Sequence, residues 1–229
     1  MKKIFIIALT FLLVGCQSSN NDTNKQQNST TNQTTENNND STQNTLQDKT
    51  LVAYFTRVGN TNFPDGTDAS SSASLVDNNG ELIGNTEYIA NVIVEETKGD
   101  KFLIQTQTKY PSNYDELVDQ EQDEKSNNSR PALATQVNNF DEYEVIYLGF
   151  PNWWYGMPMP VYSFLESYDF SSKTIIPFNT SGGSGFSNAI DEIKELCPNA
   201  TVLDGYTTSG DSVENKHDEI VEWIQDVRK

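Results

Sequence analysis

The chain has 229 residues, of which 33 are acidic and 15 are basic, so its formal net charge at pH 7 is −18. That charge excludes nucleic acid as an expected partner, because the phosphate backbone recruits basic surfaces. With one histidine and two cysteines, the chain also has too few ligands for a structural zinc site and no convincing nucleophile beside a histidine base. We therefore predict no metal site.

The first residues have the layout of a secretory signal. A lysine pair precedes the apolar residues 4–9 and 11–14, a run too short to span a bilayer comfortably. The run ends in Leu13-Val14-Gly15-Cys16, which resembles the bacterial lipobox, where cleavage precedes a lipid-modified cysteine. We predict that residues 1–15 are a lipoprotein signal peptide and that lipidated Cys16 anchors the protein at the extracytoplasmic face of a bacterial cell membrane. The alternative is an ordinary signal peptide with an incidental cysteine.

Residues 16–48 are predicted to be a disordered polar tether. They are almost entirely Asn, Gln, Ser and Thr, with no apolar periodicity that could bury surface and offset the entropy of ordering. Residues 49–229 have the length of one ordinary domain. Because the negative charge predicts repulsion from anionic lipid, the acyl anchor is the only membrane attachment that we expect.

From residue 51 onwards, short apolar runs alternate with amphipathic helical patterns. The apolar runs predict strands at 51–55, 102–106, 145–150, 174–178 and 201–203. The helical patterns predict helices at 86–97, 113–127, 158–168, 186–196 and 214–227. Five strands alternating with five helices predict an α/β fold with a doubly wound five-stranded parallel sheet of order 2-1-3-4-5 and helices on both faces. Pro177 counts against the strand at 174–178 unless it falls near the end of that strand.

Ligands of such a sheet bind at the carboxyl ends of strands one and three, and the first loop at that edge suits a phosphate group. Thr56 and Arg57 end the first strand, and Gly84, Asn85 and Thr86 begin the first helix. Backbone N–H groups at a helix start point outward with a partial positive charge. A dianion can therefore be held there in a chain that has few lysines.

A polar insertion at 58–83 separates the two parts of this loop, and an earlier Gly-Asn-Thr occurs at 59–61. The later copy, at 84–86, is favoured because residues 87–90 continue directly into the helix. The alternative is that Asn85 or Thr86 is simply a helix N-cap.

The second loop follows the third strand and is aromatic. Two indoles at the carboxyl end of a parallel strand form a flat apolar surface suited to a planar ring. The alternative is a surface patch for a partner protein. The loop consists of Pro151, Asn152, Trp153, Trp154, Tyr155 and Gly156.

The third loop follows the fourth strand and is rich in glycine, which permits close backbone approach and unusual φ angles. The alternative is a flexible loop without a ligand. It runs from Asn179 and Thr180 to Gly185, and its candidate cofactor-binding residues are Ser181, Gly182, Gly183, Ser184 and Gly185. Together the three loops are expected to line one edge of the sheet.

The segments YFTR, GNTE, YLGFPNWWYGMPMPV and IIPFNTSGGSG resemble the flavodoxin-like family, in the branch that has an inserted phosphate loop and a PNWW aromatic loop. The resemblance implies non-covalently bound FMN. It implies that Thr56, Arg57 and residues 84–86 hold the phosphate, that residues 151–156 flank the isoalloxazine, and that residues 181–185 meet its pyrimidine edge. It also suggests that the Gly156 peptide hydrogen-bonds the flavin N5.

The resemblance implies a redox protein, and three interpretations remain open. The first is an FMN-binding oxidoreductase that transfers electrons to a small-molecule or quinone-type acceptor. The second is an electron carrier without its own substrate, and the third is a binding lipoprotein that has lost the flavin. The first is favoured because the insertion and the YPSNY segment at 110–114 would add walls around the flavin edge.

Overall fold

The computed structural model describes residues 49–64, 75–78, 81–211 and 213–229. The predicted signal peptide, Cys16 and the whole predicted tether lie outside these residues. Within the described part, the strands are β1 Thr50–Tyr54, β2 Leu75–Asn78, β3 Glu81–Gly84, β4 Asp100–Leu103, β5 Val145–Pro151, β6 Thr174–Ser181, β7 Thr201–Val202 and β8 Tyr206–Ser209. The α-helices are α1 Asn85–Thr97, α2 Tyr114–Ser126, α3 Met159–Leu165, α4 Ala189–Leu196 and α5 His217–Val227, and short 3-10 turns cover Phe140–Glu142 and Val213–Lys216.

The main sheet is parallel and has the order β4-β1-β5-β6-β7, which confirms the predicted order 2-1-3-4-5. Its central strands are buried along nearly their whole length, as their continuous apolar character predicts. Alternate side chains point to opposite faces. On one face they pack on α2, α3 and α4, and on the other face on α1 and α5.

The edge strand is longer than predicted and is interrupted. After β7 the chain bends at residues 203–205 and returns to the sheet as β8, which pairs with the second half of β6. Pro177 lies in the middle of β6 and not near its end. The Ile175 carbonyl points toward the edge strand and accepts from the Leu203 N–H at 3.0 Å. Backbone groups two residues apart in a strand point to the same side, so the backbone nitrogen of Pro177 also points toward the edge strand. This nitrogen, which carries no hydrogen, faces the gap between β7 and β8, so the proline removes no hydrogen bond from the sheet.

The polar insertion contains a hairpin that the sequence pattern did not predict. β2 and β3 pair antiparallel, with Leu75 opposite Gly84. Because β3 ends at Gly84 and α1 begins at Asn85, the hairpin delivers the chain directly to the helix start. Residues 65–74 of the insertion lie outside the described residues.

Several predicted bounds shift at element ends. β4 begins and ends earlier than the predicted 102–106, α3 ends at Leu165 instead of residue 168, and α4 begins at Ala189 instead of residue 186. The first turn predicted for α5 is a 3-10 turn. Helix ends fray into such turns because their terminal backbone groups lack partners within the helix.

Candidate functional site

Three loops leave the sheet at the carboxyl ends of β1, β5 and β6, which lie side by side. Ladder bonds continue past the strand ends, since the Phe55 N–H donates to the Gly149 carbonyl and the Asn152 N–H to the Thr180 carbonyl, both at 2.8 Å. The loops predicted to line one edge therefore meet there.

The start of α1 is in contact with the ends of two strands. Gly84 is the N-cap, with φ −77° and ψ 147°, and no side chain caps the helix. The interpretation of Asn85 or Thr86 as the N-cap is therefore wrong. A Cβ on Gly84 would overlap the side chain of Thr56, which lies two residues after β1. The Thr86 and Thr180 hydroxyl oxygens lie 3.0 Å apart in a buried pair.

The earlier Gly-Asn-Thr copy has a structural role. The Asn60 amide donates to the carbonyls of Thr56 (2.9 Å) and Ile104 (3.0 Å). Its side-chain oxygen accepts from the Thr106 N–H at 2.8 Å and from the Thr106 hydroxyl at 3.1 Å. Asn60 is fully buried, so this copy ties the ends of β1 and β4 together, and the copy at 84–86 alone begins a helix.

Arg57 lies on the opposite side of β1 from the helix start. Its guanidinium donates to the carbonyls of Pro111 (3.4 Å) and Ser112 (3.1 Å) and lies 5.0 Å from the Phe63 ring centre. Burial lowers the pKa of Arg57, and the nearby Glu121 opposes that change. Of the two residues predicted at this strand end, only Thr56 contacts the helix start, because successive side chains of an extended chain point to opposite faces.

The only acidic residue in the first turn of α1 is Glu87, and its carboxylate is already engaged. It accepts from Lys101 at 2.9 Å and from the Tyr54 hydroxyl at 3.1 Å. Lys101 offsets its charge, so the helix start remains compatible with an anion. Within the described ranges, no group of His, Cys, Asp and Glu side chains is arranged to hold a metal ion.

The aromatic loop is a tight turn. The Trp153 N–H donates to the Gly156 carbonyl at 3.0 Å, and the Gly156 N–H donates back to the Trp153 carbonyl at 3.1 Å. The two residues between them have positive φ, 49° at Trp154 and 62° at Tyr155, as in a type I′ turn. This conformation costs bulky residues about 1 kcal/mol or more each, so the turn is strained.

The turn separates the two tryptophans. Trp153 packs edge-on against Phe55 and Tyr110, with ring centres 5.2 and 5.6 Å apart. Trp154 and Tyr155 are exposed, at 38% and 67% of their surface. Trp153 therefore anchors the turn, and the next two rings are presented to solvent.

Gly156 is buried, and its N–H is occupied by the Trp153 carbonyl. A Cβ there would overlap Lys125, whose amine forms an ion pair with Glu192 at 3.3 Å. The N5 contact suggested by the resemblance would require this peptide to turn away from Trp153.

The glycine loop is held by side chains and is not free. The Ser181 hydroxyl accepts from the N–H groups of Gly183 (3.2 Å) and Gly185 (3.0 Å). The Gly185 carbonyl accepts from the amides of Asn152 (2.6 Å) and Asn179 (2.8 Å). These bonds join the second and third loops. The backbone at Gly182 and Gly183 borders open space, and Ser184 is exposed.

Two residues of the third loop, Asn179 and Thr180, were not among the candidate cofactor-binding residues. Both are buried, and they hold the glycine loop and the helix start respectively. The available signal was their position directly before Ser181, where an apolar strand ends in polar side chains.

Comparison with known proteins agrees with this geometry. A family model described as Flavodoxin matches residues 80–227. The chain belongs to the flavodoxin family. Among curated proteins, no significant match is found.

Three solved structures share this flavodoxin architecture. A candidate flavoprotein from Bacteroides uniformis is 32% identical, with a TM-score of 0.59 over 78% of this chain and 98% of its own. A candidate flavoprotein from Bacteroides eggerthii is 26% identical, with a TM-score of 0.55 over 76% of this chain and 98% of its own. A flavoprotein from Lactobacillus acidophilus in complex with FMN is 19% identical, with a TM-score of 0.51 over 75% and 99%.

Proposed function

We propose that this flavodoxin-family protein is an FMN-binding oxidoreductase, anchored through Cys16 at the extracytoplasmic face of the cell membrane, that passes electrons to a small-molecule or quinone-type acceptor. The convergence of the helix start, the aromatic turn and the glycine loop at one sheet edge carries the proposal. The Lactobacillus acidophilus flavoprotein, which has the same fold, is in complex with FMN.

The helix start fits the phosphate group. Its first turn has no side-chain cap, and the hydroxyls of Thr56, Thr86 and Thr180 lie around it. Uncharged donors at a helix N-terminus bind phosphate without lysine. Thr56 and the backbone of residues 84–86 would hold the phosphate, with Thr180 fixing the position of the Thr86 hydroxyl.

The aromatic turn and the glycine loop fit a planar ring. Trp154 and Tyr155 provide exposed aromatic faces, and the backbone at Gly182 and Gly183 is open to a ring edge. Bound FMN would supply the redox chemistry, accepting and releasing electrons. The protein residues would orient the ring and exclude water from it, with Trp153 fixing the turn against Phe55.

An enzyme is favoured over a bare electron carrier by a cavity beside this edge. The cavity has a volume of about 320 Å³ and is lined by Thr106, Tyr110, Gln120, Glu124 and Arg130, among others. That volume is at the lower end of the range for small-molecule sites. Tyr110 lines the cavity and packs edge-on against Trp153, so one ring connects an acceptor bound there with the aromatic turn.

The anchor is proposed from the sequence alone. No helix in the described ranges has the length and apolar character needed to cross a membrane. Labelling cells with a fatty-acid analogue tests the anchor directly: the protein should incorporate the label, and the Cys16→Ser variant should not. Equal labelling of both proteins would refute lipidation at Cys16.

Titration of the purified protein with FMN and with riboflavin tests the cofactor. We expect FMN to bind with quenched fluorescence and riboflavin to bind more weakly, because riboflavin lacks the phosphate. Thr86→Val should weaken FMN binding by roughly tenfold, since a hydrogen bond to a charged group contributes about 1.5–3 kcal/mol. It should leave riboflavin binding unchanged.

Thr201→Val is the matched control, because Thr201 is exposed at the first residue of β7, away from the three loops. It should not alter FMN affinity. Protein that binds neither ligand would refute both the oxidoreductase and the electron carrier. FMN binding without reduction of small-molecule or quinone acceptors by the reduced protein would favour the carrier.

A further inference from the structure

The carboxyl group of Glu121, beside the aromatic turn, and the guanidinium of Arg57 lie buried near each other without forming an ion pair. Arg57 is 4% exposed and Glu121 of α2 is 8% exposed. Among the described residues, neither side chain has an opposite charge within 4.0 Å. One terminal nitrogen of Arg57 donates to the carbonyls of both Pro111 and Ser112. The Nε of Arg57 has no hydrogen-bond partner. A buried charge is usually paired, so this arrangement calls for an explanation.

Glu121 reaches the underside of the aromatic turn. It shares a narrow crevice with Trp153, Trp154 and Met157, and the volume of this crevice is about 10 Å³. A space of that size is at the limit for one water molecule. Glu121 is 8% exposed, so its carboxyl group is largely buried and retains a narrow path to solvent.

Burial raises the pKa of Glu121 to about 8, and this effect outweighs the attraction of Arg57. The neighbouring Glu124 raises it further. Around pH 8 the carboxyl group is therefore divided between its protonated and ionised forms, so a change in the charge beside it changes the fraction that carries a proton.

Of the other charged groups around Glu121, Glu124 and Lys125 each have a partner. Glu124 accepts from the Tyr110 hydroxyl at 2.7 Å, and Lys125 pairs with Glu192 of α4. Tyr114, at the start of α2, is exposed and acts electrostatically on Arg57. Glu121 is therefore the carboxyl group beside the aromatic turn that has no partner among the described residues.

We infer that Glu121 is a redox-linked proton-binding residue: it takes up a proton from solvent when negative charge accumulates beside the aromatic turn, and it releases the proton when that charge leaves. The inference rests on the proposed binding of FMN at this edge. The electrons come from the donor that reduces the flavin, and no bond other than the carboxyl O–H forms or breaks at Glu121. Because linkage is reciprocal, protonation of Glu121 should favour the reduced state to the same degree. Glu121 would influence the flavin through its charge and would not contact the acceptor, so we do not count it as a catalytic residue.

The test measures the midpoint potential of the FMN-loaded protein against pH, with dithionite as reductant. It compares wild type with Glu121→Gln, which is isosteric, and with Glu116→Gln. Glu116 is an exposed residue of the same helix, so its variant carries the same charge change. The midpoint potential gives the affinity for reduced FMN relative to the affinity for oxidised FMN. Between about pH 6 and pH 10, this ratio should fall by roughly fivefold more in wild type and in Glu116→Gln than in Glu121→Gln.

Infrared difference spectra of the FMN-free protein provide a second readout. Wild type and Glu116→Gln should show a protonated carboxyl signal that disappears as the pH rises through about 8, and Glu121→Gln should lack it. A missing signal in wild type, or a pH dependence of the potential that is the same in all three proteins, would overturn the inference. Failure to bind FMN would overturn the proposed function together with this inference, whereas FMN binding with an unchanged pH dependence in Glu121→Gln would overturn this inference alone.

Discussion

Asn60 gives the most direct test of how the ends of β1 and β4 are held. Its buried side chain makes four hydrogen bonds, two as donor to the Thr56 and Ile104 carbonyls and two as acceptor from Thr106. Asn60→Ala removes all four. It leaves the Thr106 N–H and two carbonyl groups without these partners in a region sealed from water.

The expected loss follows from the groups left unpaired. Each buried donor or acceptor without a partner costs about 1–3 kcal/mol. Water entering the space left by the amide would recover part of that cost. We therefore expect the free energy of unfolding to fall by about 2–4 kcal/mol, and FMN affinity to fall with it, because Thr56 is held by one of the four bonds.

Urea unfolding followed by tryptophan fluorescence measures the change through the midpoint and the slope. Asn62→Ala is the matched control, since Asn62 is exposed two residues further along the same loop, and its variant should remain within about 0.5 kcal/mol of wild type. If Asn60→Ala were as stable as Asn62→Ala, the four bonds would not hold the strand ends, and the structural role assigned to this copy of Gly-Asn-Thr would be wrong.

Three further predictions concern the backbone and the buried carboxyl group. Gly205→Ala should lower the free energy of unfolding by more than about 2 kcal/mol, because Gly205 has a φ of +74° and a Cβ there would overlap a carbonyl of β6. Gly182 faces open space, so Gly182→Ala should be nearly neutral. Equal urea midpoints for the two variants would contradict this reasoning. Replacing Trp154 and Tyr155 together by Asn-Gly should raise the free energy of unfolding by about 1–2 kcal/mol, since that pair favours positive φ. The same variant should bind FMN more weakly when titrated with the cofactor. A less stable protein would show that the turn is not strained. Because burial raises the pKa of Glu121 to about 8 in the folded state, the part of the stability that depends on this group should be greatest below about pH 4.5 and be lost as the pH rises to about 8. Glu121→Gln should remove this part of the pH dependence of the urea midpoints, and the same pH dependence in both proteins would contradict the prediction.

The arrangement of strands and helices was predictable because it depends on local patterns. The continuous apolar run of β5 and the alternation of strands with helices were enough to predict a parallel sheet of the observed order. The start of α1 was predictable for the same reason, since residues 87–90 continue a helical pattern that the earlier Gly-Asn-Thr copy lacks. The hairpin of β2 and β3 was not predicted, because its short strands lie in a polar insertion without a clear alternating pattern.

The sequence by itself therefore determined the order of elements, the sheet edge at which polar and aromatic loops meet, and the family. Only the tertiary structure decided which side chains face one another there. Thr86 meets Thr180, which lies 94 residues further along the chain, and the amide of Asn152 meets the Gly185 carbonyl. Arg57 turns toward α2 and Glu121 although its neighbour Thr56 contacts α1. A repeating pattern fixes the face of each residue within its own element, but the partner on that face comes from a distant part of the chain, and only packing brings the two together.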